Sequence, residues 1–156
     1  MDLKRVIIYW FLAIIWMSII FQFSSKPAIQ SDTQSLFVIQ EINRIANNFG
    51  FKGEFLNNGW NYFIRKIAHT LEYAVLGMLL CLALSSTGIK DKKLFLYSIL
   101  ICLIYAVTDE IHQAFVPGRA AKVTDVLIDT FGGFIGIGLT SLLAHFKWHN
   151  GRIIKE

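Results

Sequence analysis

The sequence predicts an all-α, polytopic membrane protein, with four transmembrane helices and an amphipathic helix in the long loop after the first of them. Three observations predict it. Of the 156 residues, 54% are hydrophobic and only 17% charged, and the mean hydropathy is +0.51, too apolar for an ordinary soluble domain. Four windows reach the roughly 20 apolar residues that cross a bilayer. The turn residues fall between those windows.

The first window is about 6–23, "VIIYWFLAIIWMSIIFQF". Lys4 and Arg5 precede it as they would a signal peptide, but the apolar run is longer than a normal h-region and no clean cleavage site follows. It is expected to be a retained helix. The second span is about 67–86, the third about 94–116 and the fourth about 124–146. In the loop between the first two, Leu36, Ile39, Ile42, Ile45, Ala46 and Phe49 recur at helical spacing. Ser31 or Asp32 is a candidate cap there, and Gly50 a stop. This helix is expected to lie on the outer leaflet or over the bundle. Residues 1–156 read as one domain. Cys81 and Cys102 both sit in apolar runs and read as small core hydrophobes.

Basic residues set the expected orientation. Lys4 and Arg5, then Lys90, Lys92 and Lys93, then Lys147, Arg152 and Lys155 share one side if there are four spans. That side is assigned to the cytoplasm, with both termini. Arg65, Lys66, Arg119 and Lys122 then lie outside, against the rule, so a purpose other than topology is sought for them. The net charge of +4 is modest and spread over both faces. It suits anionic lipid and gives no reason to expect nucleic acid.

Three helix ends on that outer side carry the polar residues. In "FIRKIAHTLEYAVLG", Arg65, His69, Glu72 and Tyr73 share a face. In "TDEIHQAF", Asp109 aligns with His112 and Gln113, and Glu110 points elsewhere. In "TDVLIDTFGG", Asp125 and Asp129 are one turn apart on a stripe that continues through Gly132, Gly133 and Gly136. Small residues at that spacing let two membrane helices approach closely. Thr124 or Asp125 can cap the fourth span. Pro117 and Gly118 turn the chain between the third and fourth spans, bringing Arg119 towards the carboxylates. An ionised side chain inside a membrane costs roughly 2.5–3.5 kcal/mol on insertion scales. A cluster of them is expected to line a shared wet pocket.

Three kinds of function fit such a pocket. It can bind an anionic or glycosylated lipid, with Arg65, Lys66 and Arg119 on a phosphate or carboxylate. It can act on a lipid-linked intermediate, with His69 as acid or base oriented by Asp109 or Glu72. In that case a divalent metal on His69, Asp109, Asp125 and Asp129 is an option, although no His-Glu-x-x-His motif or other strong metal signature is present and no cofactor is required. Lastly, the charges can simply hold together a helix bundle, or a small transporter if the chain forms a homo-oligomer.

The segments "FIRKIAHTLEYAVLG" and "TDEIHQAFVPGRAAKVTDVLIDTFGGFIG", with the weaker "FSSKP" at Phe23–Pro27, resemble the VanZ-like family of bacterial membrane proteins. The resemblance covers most of the chain. It implies that Lys66, His69, Tyr73, Asp109, Glu110, Gln113, Arg119 and Asp125 are the family's recurring positions. It also implies a setting, the bacterial cell membrane, in which the family's named member is associated with resistance to the lipoglycopeptide teicoplanin. It implies no particular reaction.

Overall fold

A computed structural model describes residues 2–153 except 52, 54 and 55, with side chains up to residue 144. Lys155, and the side chains of Lys147 and Arg152, on which part of the orientation rests, lie outside the described residues. Five α-helices follow in order: α1 Leu3–Ser24, α2 Ala28–Asn48, α3 Asn61–Ser86, α4 Asp91–Gln113 and α5 Val123–Ile153. A single 3₁₀ turn, Asn58–Trp60, leads into α3. No strand occurs among the described residues. Four stretches are long and apolar enough to cross a membrane: Leu3–Ser24, Asn58–Ser86, Asp91–Gln113 and Val123–Ala144.

The four long helices face outwards with large apolar side chains, among them Ile7, Phe11, Ile104, Leu127, Phe131 and Leu142. Such faces suit hydrocarbon, where helices satisfy every backbone group internally. The inner faces carry small or shape-filling residues. Ala13 and Ile20 of α1, Tyr73, Leu76 and Leu80 of α3, and Cys102 and Ala106 of α4 form one buried cluster. Both cysteines are buried and free, as their apolar settings predict.

The tightest seam joins α3 to α5. A Cβ at Gly132 would strike the Thr70 carbonyl, and one at Gly136 the Ala74 carbonyl one turn on. Gly77 and Gly133 meet backbone to backbone. With lipid outside and no apolar gain from leaving it, such close packing is what draws membrane helices together. α1 packs on α3, where Trp16 Nε1 donates to the Glu72 carbonyl at 2.8 Å. It also reaches α4, where Tyr105 Oη donates to the Met17 carbonyl.

A helix does form in the first long loop, but the amphipathic face expected for it is not confirmed. It starts at Ala28, directly after Pro27, whose carbonyl accepts from Gln30 and Ser31. Neither Ser31 nor Asp32 caps it. Ser31 is buried, and Asp32 is ion-paired to Arg65. Gly50 does stop it, at a φ of 92° that glycine adopts without strain. The side it buries is Ser31, Ser35 and Ile39. Ile45 and Phe49, expected on the apolar face, are exposed together with Phe37 and Val38.

A second tether holds the start of α2. Ala28 N–H donates to the Pro117 carbonyl at 3.2 Å, and the Ala28 Cβ lies against Gly118. Gly118 takes a φ of 75° in this turn. The α4–α5 joint is therefore bonded to the α1–α2 joint.

Candidate functional site

The C-termini of α1 and α4 and the N-termini of α3 and α5 meet at one end of the bundle, with α2 beside them. Polar residues at these ends pair across helices. Asp109, 3% exposed, has its Oδ2 held by two donors: Ser24 Oγ at 2.8 Å and Gln113 Nε2 at 3.0 Å. Its Oδ1 is buried without a partner. Gln113 Oε1 in turn accepts from Arg119 at 3.0 Å.

Lys66 and Asp125 form an ion pair, with side chains 17% and 15% exposed. Asp125 lies in the first turn of α5, where the helix dipole favours an acidic group. Thr124 donates to it at 3.3 Å; α5 already begins at Val123, so neither residue is the helix-starting cap that the sequence suggests. Arg65 pairs with Asp32 of α2 at 2.5 Å. His69 Nδ1 stands 3.6 Å from Glu72 Oε2 on the same face of α3. Tyr73, one turn beyond His69, is fully buried, and its hydroxyl has no partner.

Two expected placements change. Glu110 does not point elsewhere: it is buried, lines the polar pocket, and its Oε2 accepts from the Lys122 backbone N–H at 2.8 Å. His112 turns the other way, towards α1. Its Nε2 lies 3.0 Å from Ser25 Oγ, and its ring stacks on Phe21 at 4.3 Å. Ser24 and Ser25 are the site residues missed in the sequence. Their only signal there is the "FSSKP" segment after the first span.

These side chains enclose two adjoining spaces. One is a polar pocket of about 270 Å³, walled by Lys66, Glu110, Gln113, Lys122, Asp125 and Asp129 among others. The other is a more apolar groove of about 530 Å³ between α2 and α3, lined by Phe23, Ser35, Phe37, Val38, Ile64 and Glu72 among others. Arg65, His69 and Arg119 border both.

Arg119 is the distinctive cation of the set. Among the described residues it has no ion pair with a carboxylate: its one side-chain hydrogen bond goes to neutral Gln113, and its Nε is buried without a partner. Burial, then the like charge of Arg65, hold its pKa below the ordinary arginine range. An anion would relieve both. Deeper in, His69, Asp109 and Asp129 bring ligand-capable atoms within 4.8 Å of one another. Asp125, expected among possible metal ligands, is not in that group and is taken by Lys66.

Four long apolar helices, closed by a polar site at one end, define a helical protein of the membrane type. The profile of the VanZ/LLP1 family matches residues 9–144, and the chain belongs to that family. No curated protein and no solved structure matches it.

Proposed function

We propose that this protein binds an anionic membrane lipid, with the charged headgroup in the polar pocket and the chain in the α2–α3 groove. The observation that carries this reading is Arg119, a guanidinium without a carboxylate partner, placed where a polar pocket meets an apolar groove. A planar donor fork of this kind suits phosphate or carboxylate. The groove's apolar lining suits an alkyl chain. A freely diffusing anion would have no use for the groove.

In this reading the site opens on the extracytoplasmic side, with both termini in the bacterial cytoplasm. The ligand is then a lipid of the cell envelope, such as a lipid-linked cell-wall intermediate, or the acylated glycopeptide itself in the resistance setting of the VanZ-like family. A second reading is a membrane enzyme acting on the same ligand. It is favoured by His69 and Glu72, which stand 3.6 Å apart at the shared border, an arrangement suited to proton transfer once substrate draws them together.

The test uses purified protein in nanodiscs and a fluorescent phosphatidic-acid probe. Arg119→Ala is expected to weaken binding roughly 10- to 100-fold, the worth of about 1.5–3 kcal/mol for a hydrogen bond to a charged group. Ser35→Phe, which fills the groove, should weaken a long-chain probe more than a short-chain one. Binding by Arg119→Ala equal to the parent would refute the reading. Release of phosphate or of a cleaved lipid, lost in His69→Ala, would move it to the enzyme.

A further inference from the structure

We propose that His69, Asp109 and Asp129 form a site for one divalent cation of the Mn²⁺ or Zn²⁺ type, on the inner wall of the polar pocket. The three residues come from α3, α4 and α5, so the site exists only in the assembled bundle. Their ligand-capable atoms lie within 4.8 Å of one another. Imidazole nitrogen and carboxylate oxygen bind such ions at about 2.0–2.2 Å, which places neighbouring ligands of a tetrahedral ion about 3.3–3.6 Å apart. Closing on an ion therefore asks at most about 1.5 Å of side-chain movement.

The surroundings point to an ion independently of that spacing. Ser24 and Gln113 both donate to Asp109 Oδ2, which fixes the carboxylate and leaves Oδ1 buried and unbonded. That is how outer partners present a metal ligand. His69 has a carboxylate, Glu72, beside one ring nitrogen. A metal-ligating histidine usually gives its second nitrogen to such a group. The Tyr73 hydroxyl, fully buried and without a partner, lies on the His69 face of α3.

Charge argues the same way. Asp109 and Asp129 are each 3% exposed. Neither carboxylate forms an ion pair among the described residues: Lys66 pairs with Asp125, and Arg119 donates to neutral Gln113. Two buried carboxylates this close, neither of them ion-paired, are costly to ionise, and a dication offsets both. The donor set holds nitrogen and oxygen but no thiolate, since neither Cys81 nor Cys102 is in the group. That excludes a soft Cu⁺-type site and suits a borderline divalent ion. Three protein ligands leave further positions open, and His69 and Asp129 both border the pocket.

The experiment is a titration of the full chain, purified in detergent and stripped with chelator, using Mn²⁺ alone followed by spin resonance and Zn²⁺ alone against a chromophoric chelator. One equivalent of at least one ion should bind and raise the unfolding temperature. Asp129→Asn and His69→Gln should each lower that affinity by more than about 100-fold, beyond what loss of an outer partner costs. Each should also abolish the thermal shift. Glu41→Gln, on exposed α2, should change neither. Two ligand variants guard against one failing to fold. The proposal is overturned if neither ion saturates at one equivalent, or if the folded ligand variants bind like the parent. Lipid binding measured in excess chelator reports on the proposed function separately.

Discussion

Leucine in place of Gly136 is expected to prevent assembly of the bundle. At this position a single added carbon already meets the Ala74 backbone carbonyl, and a backbone atom cannot move aside as a side-chain tip can. Overpacking a core costs about 1–3 kcal/mol where neighbours can shift. Here α3 and α5 would have to separate, so the loss should be about 3 kcal/mol or more. Leucine at Gly138 is the matched comparison. A Cβ there meets nothing within 4 Å, and the change should stay within about 0.5 kcal/mol. Unfolding monitored by tryptophan fluorescence in one detergent compares the two. Equal stability of both variants would show that the seam is not as close as described.

The second large effect is expected from Lys66→Met. The Lys66–Asp125 pair is mostly enclosed, at 17% and 15% side-chain exposure, and removing one partner of a buried pair leaves a bare charge. Such a loss in proteins costs about 3–5 kcal/mol, and the wet pocket beside the pair favours the lower end, about 3 kcal/mol. The doubly substituted chain, Lys66→Met with Asp125→Leu, should recover most of it, because the orphaned carboxylate is gone. A double-mutant cycle on unfolding free energy measures the coupling. Simple additivity of the two losses would mean that the ions act separately.

Much of this architecture was legible in the sequence because hydrophobic length is a robust signal in membranes. Each of the four windows falls on one of the long helices, although the second begins six residues inside α3, and the Asp125–Gly136 stripe identifies the face that α5 turns to α3. Other features depend on contacts between distant segments. Glu110 turns inwards because a backbone N–H of the α4–α5 joint, twelve residues on, is there to meet it. No periodicity in α4 contains that donor. His112 shares the apparent stripe of Asp109 and Gln113, but at the helix end it falls on the flank covered by α1. Ser24 looks like an ordinary interfacial serine until α4 places Asp109 beside it. The start of α2 differs for a local reason: the proline just before it opens the helix, ahead of the serine and aspartate that have the usual capping chemistry.

The seam between α3 and α5 also bears on how the chain is made. α5 supplies Asp125 to Lys66 and Asp129 to the space beside His69, yet it is the last of the five helices to leave the ribosome. Until it arrives, α3 stands in the bilayer or its insertion machinery with the Lys66 ammonium still lacking its carboxylate. Biogenesis should therefore be least tolerant of delay at the final helix, and an interrupted nascent chain ending before Val123 should be a substrate for membrane quality control.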